Sequence, residues 1–132
     1  KGEVSLEKVE LVLDNQPPSV RVPMDPKRLN RVFYNLVHNA TEAMPNGGKI
    51  FIRFSLDGNK VITEVQDTGP GLHPDAMAHL FEPFFTYGKS HGTGLGLAIC
   101  KKIIDEHNGT IQARNAPEGG AVFSLSLPFK QS

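Results

Sequence analysis

Apolar residues along this chain keep two rhythms, and the changes of rhythm mark out its elements. Leu29, Val32, Phe33, Leu36, Val37, Ala40 and Met44 recur at helical spacing and form one apolar face. Asp25-Pro26 just before them supplies a capping acid and a proline in the first turn, where its missing N–H costs nothing. Pro45-Asn46-Gly47-Gly48 ends this helix at Met44, because the residue before a proline is pushed out of the helical region. The rhythm then becomes strand-like. Ile50, Ile52, Phe54 and Leu56 alternate with polar residues, as do Val61, Thr63 and Val65, and Asp57-Gly58-Asn59-Lys60 between them is a hairpin signal. Upstream, Val9 to Leu13 and Val20 to Pro23 read as short strands separated by a turn at Asn15-Gln16-Pro17-Pro18. Downstream, Leu95, Ala98, Ile99, Ile103 and Ile104 predict a second helix with Lys101, Lys102, Asp105 and Glu106 outside and Gly109 as its cap. Thr110 to Arg114 and Ala121 to Leu127 close as a hairpin around Pro117-Glu118-Gly119-Gly120, and Pro128 ends the last strand.

The polar positions are less ordinary. The first helix carries a second stripe of Arg31, Asn35, His38, Asn39 and Glu42. Asparagine is a poor helix former because its amide competes for the backbone, so a plain solvated face would sooner hold Lys, Glu or Ala. Two asparagines at i and i+4 bring their Cβ atoms to roughly 5–6 Å. Carboxamide oxygens suit Mg²⁺, which typically takes one or two protein oxygens and completes its shell with phosphate and water. The stripe also fits a tertiary-bonded polar face, and His38 alone fits a structural histidine. By alternation Asp67 lies on the buried face of Val61, Thr63 and Val65, where a carboxylate is costly unless backbone donors or a ligand meet it.

Asp67 also opens the stretch that organises the chain. Asp67-Thr68-Gly69-Pro70-Gly71 stands at one end and Gly92-Thr93-Gly94-Leu95-Gly96-Leu97-Ala98 at the other. Leu72 to His91 between them exceeds the roughly 12–15 residues beyond which loops in compact domains are usually functional. This segment is expected to be a lid on glycine hinges, containing a helix-like piece from Pro74 to Leu80. Phe81, Phe84 and Phe85 in it either pack into the core or cover a bound base. Gly92, Gly94 and Gly96 leave bare N–H groups before an apolar helix, a seat for an anion. Two phosphate motifs are excluded: Leu97 stands where a Rossmann loop needs its third glycine, and Pro83 where a P-loop ending at Gly88-Lys89-Ser90 needs its first.

Length and composition narrow the setting. A chain of 132 residues is expected to form one domain, 1–132, and its single Cys100 permits no internal disulfide. With a formal net charge of +0, bulk electrostatics favour neither nucleic acid nor an acidic membrane. No apolar run approaches a membrane span and no secretory leader is visible, so a cytoplasmic setting is expected. The abrupt opening Lys1-Gly2-Glu3 suggests a fragment of a longer protein, and the sequon-like Asn39-Ala40-Thr41 and Asn108-Gly109-Thr110 are read as chance.

Taken together, these residues resemble the ATP-binding domain of bacterial sensor histidine kinases, within the superfamily that includes gyrase, Hsp90 and MutL. The resemblance runs from about Val9 to Pro128 and rests on motifs in the family's order. Asn35-Leu36-Val37-His38-Asn39-Ala40 is similar to the N box, and Asp67-Thr68-Gly69-Pro70-Gly71 to the first G box. Phe81-Glu82-Pro83-Phe84-Phe85-Thr86 is similar to the F box, and Gly92-Thr93-Gly94-Leu95-Gly96-Leu97 to the second G box. Glu42-Ala43-Met44 and the Phe-Phe-Thr form of the F box resemble the nitrogen-regulation type.

The resemblance implies an α/β fold: a two-layer α/β sandwich with a mixed β-sheet packed against helices (the Bergerat ATP-binding fold) and a long ATP lid. It implies ATP and Mg²⁺ as ligands, with Asp67 accepting from the adenine amine. Asn39 would ligate the metal, with Asn35 beside it, and Lys89 would neutralise the γ-phosphate; Asn35, Asn39 and Lys89 are the implied catalytic residues. Gly69, Gly71, Leu72, Phe81, Gly92, Thr93, Gly94, Leu95 and Gly96 would complete the nucleotide site. Hydrolases of the superfamily carry a glutamate at the place of Asn35; an amide cannot take a proton from water, so ATP would be held without being wasted. His38, His73, His79, His91 and His107 lack the following acid of the family's phosphoacceptor motif. The implied function is therefore donation of the γ-phosphoryl group to a histidine on a separate dimerisation domain, with a response regulator downstream. The isolated domain would be a monomer and the full-length protein a homodimer, possible membrane anchoring lying in missing segments. A serine-directed anti-sigma-type kinase and a regulatory nucleotide-binding module share this fold and stand as alternatives. The chain departs from commoner patterns at Glu42, where many members have a basic residue, at Lys89, which stands late in the lid, and at Ala121, often a threonine.

Overall fold

A computed structural model describes residues 9–85 and 96–129. The strands are β1 (Val9–Leu13), β2 (Gly48–Asp57), β3 (Lys60–Asp67), β4 (Thr110–Asn115) and β5 (Ala121–Pro128). The helices are α1 (Pro26–Ala43), the short α2 (Pro74–Met77) and α3 (Gly96–Glu106). One five-stranded sheet has the order β1-β2-β3-β5-β4. β1 and β2 run parallel and the remaining pairs antiparallel. Parallel neighbours cannot be joined by a tight hairpin, and α1 provides the crossover. Val32 and Leu36 of α1 and Ile103 and Ile104 of α3 pack with Ile50, Val65, Phe123 and Leu125 of the sheet into one core. Sheet and helices thus form the expected mixed two-layer sandwich.

Local chemistry sets the boundaries. The Asp25 carboxylate accepts from Lys27 N at 3.0 Å, with Pro26 in the first turn, so α1 starts where the capping signal put it. Gly58 turns the β2–β3 hairpin at φ 61°, a conformation that glycine adopts without strain. On the sheet face away from the helices, Arg53 donates to Asp14 at 3.1 Å, Glu64 at 3.2 Å and Gln66 at 2.6 Å. Gln66 in turn donates to Glu118 at 3.0 Å, tying the β4–β5 turn to β3.

Three expectations need correction. Val20 to Pro23 is not a strand, only an isolated bridge at Arg21. The Val20 N–H is used locally by the Pro18 carbonyl at 3.0 Å, and Pro23 has none to give. The helix-like piece stops at Met77 instead of Leu80, continuing only as turns. At the end of α3 the left-handed residue is Asn108, φ 64°, not Gly109. Asn108 N donates to Asp105 O at 3.2 Å and Gly109 N to Ile104 O at 3.0 Å, the paired bonds of a Schellman ending. Gly109 is needed for a different reason: a Cβ there would lie 2.3 Å from Ser126 O.

Candidate functional site

β3 delivers Asp67 to the rim of the helix-facing side with only 3% of its surface exposed. Its Oδ1 accepts from Gly69 N at 2.9 Å and from Ala121 N at 3.1 Å. Gly120 closes the third side, since a Cβ at that position would stand 2.0 Å from the Asp67 carbonyl oxygen. The buried acid is therefore held through one oxygen by two backbone donors. Oδ2 takes part in neither of these bonds, and a carboxylate oxygen has further acceptor capacity.

α1 links the two glycine segments. Asn35 Nδ2 donates to Gly96 O at 3.3 Å, at the start of α3. Two turns further along, Ala43 O would lie 3.1 Å from a Cβ at Gly69. Asn35, Asn39 and Ala43 share one helix face, so half-buried Asn39 sits about 6 Å along the axis from each of these contacts. Thr68 Oγ1 accepts from Lys49 N at 3.0 Å and lies 3.4 Å from Met44 Sδ, pinning the Asp67 loop to the end of α1. Behind this face, Cys100 Sγ lies 3.6 Å from Val32 O, joining α3 to α1. Burial pushes the Cys100 thiol up to about 11, although Asn35 nearby acts in the opposite sense. His38 stacks on Tyr34 at 5.8 Å with its Nδ1 3.9 Å from Glu42.

The loop after Asp67 is held by a residue that the sequence reading missed. Asn115 accepts from Leu72 N at 2.6 Å and donates to Leu72 O at 3.0 Å, as a strand partner would. Gly71, φ 88°, passes so close that a Cβ would lie 2.8 Å from Asn115 Oδ1. A lone asparagine at a strand end carries no local signal; only its pairing with Ala121 across the hairpin points to this place. Phe81 packs edge-on against Phe123 at 6.3 Å, so this phenylalanine belongs to the core. Phe85 rests on His79 at 5.5 Å, while Phe84 is 74% exposed with φ 68°.

Of the residues expected at the site, Asn35, Asn39, Asp67, Gly69 and Gly96 are thus gathered along α1, with Gly71 and Leu72 anchored at Asn115, while Phe81 packs against the core. Lys89, Gly92, Thr93, Gly94 and Leu95 lie outside the described residues.

Residues 24–131 match the family described as histidine kinase-, DNA gyrase B- and HSP90-like ATPase. Sporulation kinase E of Bacillus subtilis is 38% identical over 99% of this chain, which spans only 18% of that protein's length. The nucleotide-free catalytic domain of histidine kinase ThkA is 39% identical, with a TM-score of 0.81, covering 96% of this chain and 82% of its own. ThkA in complex with the response regulator protein TrrA gives 35% and 0.79, over 97% and 36%. Full-length ShkA in complex with AMPPNP is 32% identical with a TM-score of 0.81, over 97% of this chain and 27% of its own. The chain belongs to the histidine kinase-, gyrase B- and HSP90-like ATPase family, and it has the fold of histidine kinase catalytic domains.

Proposed function

We propose that this chain is the part of a longer sensor kinase that binds Mg-ATP and donates the γ-phosphoryl group to a histidine on a dimerisation domain of the same protein, for onward transfer to a response regulator. The observation that carries the reading is the Asp67 carboxylate, buried and fixed through Oδ1, in a loop whose Gly69 packs against the α1 carbonyl of Ala43, one helical turn beyond Asn39. A ligand with an amine donor satisfies Oδ2. Adenine has such a donor, whereas guanine would set a carbonyl oxygen against the acid and leave both unpaired. The structures of ThkA with TrrA and ShkA with AMPPNP support the partner and the nucleotide by likeness.

The residues present fit a magnesium-bound triphosphate. Among the described residues no group of three or more His, Cys, Asp or Glu could hold a metal ion. The donors on the α1 face are amides, which suit a cation that keeps most of its water and phosphate ligands. When bound, the metal spreads the charge of the phosphates during transfer. Asn39 would hold it, and Asn35, tied to Gly96 O, would set α1 against the phosphate-facing start of α3. Lys89 would add positive charge, and the amides of Gly92 to Gly96, with Thr93 and Leu95, would hold the phosphates. Neither asparagine can accept a proton from water, so the site positions ATP for a nucleophile brought from elsewhere.

Mixing this chain with the dimerisation segment of its own full-length protein and γ-labelled ATP tests the reading. Acid-labile, alkali-stable label on that segment is the expected result. Label on serine, or no label although ATP binds, overturns it.

A further inference from the structure

The Asp67–Leu72 loop is gripped at both ends by one cross-strand pair. Ala121 of β5 donates its N–H to the Asp67 carboxylate at 3.1 Å. Its ladder partner in β4 is Asn115, whose side chain takes both backbone groups of Leu72, at 2.6 and 3.0 Å. Between the two grips the loop is pressed against the hairpin by glycines: Gly120 leaves no room for a Cβ under Asp67, and Gly71 none beside Asn115. Positions that face each other in an antiparallel ladder stand at a fixed separation of about 4.5–5.5 Å. The pair therefore sets the span across which the loop must arch.

We infer that Asn115 is a positioning residue for nucleotide binding: without touching the nucleotide, its amide fixes the far end of the loop whose near end is the base-reading Asp67. An asparagine suits the task because it alone of the short side chains offers a coplanar donor and acceptor at backbone spacing. Serine or alanine at 115 leaves at least one Leu72 group to water, and the loop then samples arches in which Gly69 N leaves Oδ1. Order that the unliganded chain holds in advance must instead be imposed by the ligand, which lowers affinity without altering the contacts made once bound.

This inference rests on the proposed nucleotide reading, and the test separates the two. Binding of Mg-ADP to this chain is measured by calorimetry for the unmodified sequence, Asn115→Ala and Asn115→Asp, with amide hydrogen exchange on each. Asn115→Ala is expected to weaken binding about tenfold, from the loss of two hydrogen bonds at a partly exposed position. Asn115→Asp keeps the acceptor for Leu72 N and falls between. The Leu72 and Gly69 amides lose protection in Asn115→Ala while those of Val65 and Phe123 keep theirs, a pattern that general loosening of the fold would not give. Affinity within twofold of the unmodified chain in Asn115→Ala, or in Asn115→Asp if the alanine variant does not fold, overturns the inference. So does a Leu72 amide that is unprotected in the unmodified chain. Failure of the unmodified chain to bind Mg-ADP at all refutes the nucleotide reading instead.

Discussion

Replacing Asp67 by asparagine changes one atom's chemistry and almost none of the shape. The amide oxygen can still accept from Gly69 N and Ala121 N, now at 2.9 and 3.1 Å, so the loop and the β5 start keep their anchor. The amide nitrogen takes the place of Oδ2 and presents donors where adenine presents one of its own. The loss is one buried, charge-assisted hydrogen bond with both donors left unmet, about 1–3 kcal/mol, or roughly 5- to 150-fold in Kd. A guanine carbonyl, rejected by the acid, is now acceptable, so the ratio of ATP to GTP affinity should fall further than ATP affinity alone. Calorimetric titration of the unmodified and Asp67→Asn chains with Mg-ATP and Mg-GTP measures both quantities, and thermal melting checks that the variant is folded. ATP affinity within twofold in a folded variant would refute the argument that this acid reads the purine.

Asn39→Ala should keep the melting temperature within a few degrees and lose the Mg²⁺-dependent part of ATP binding; a variant whose titration still responds fully to Mg²⁺ removes the metal role. Gly120→Ala forces a Cβ into the 2.0 Å gap beneath Asp67 O at φ 89°, and should destabilise the fold by about 3 kcal/mol or more in urea titration. A near-neutral result would mean that the β4–β5 turn is not packed against Asp67. Burial lifts the Cys100 thiol from 9.0 to about 11, so between those pH values the unfolded chain releases a proton that the folded chain keeps. Stability is thus full below pH 9 and falls as pH rises. The advantage of the unmodified chain over Cys100→Ala should shrink by about 2 kcal/mol between pH 8 and 10.5 in denaturant titrations. A constant difference would contradict the burial of the thiol.

Much of this was legible because local signals and tertiary demands agreed. The Asp25-Pro26 cap, the Asp57-Gly58 turn and the alternation through Val61, Thr63, Val65 and Asp67 each carry their own physical cause, and each element stands where that cause put it. Val20 to Pro23 misled because apolar residues between prolines look like a strand, while the proline-rich backbone spends its donors locally. Gly109 misled because a glycine after a helix can answer either of two demands, a positive φ or a close approach, and here Asn108 met the first. At the site, the burial of Asp67 and its need for donors were readable from its place on the strand face. Its supports were not: Ala121 and Gly120 reach it from 54 and 53 residues away, and Asn115 reaches Leu72 across 43, distances over which sequence pattern carries no contact information.

The strand order adds a consequence for biosynthesis. β5 lies between β3 and β4 although it is made after both. A nascent chain that has emerged only as far as β4 has neither the strand that joins β4 to the rest of its sheet nor the Ala121 amide that steadies the Asp67 carboxylate. On the proposed reading, nucleotide binding then arises only once β5 has been made, and chains cut short inside β5 should be proteolysed whether or not ATP is abundant.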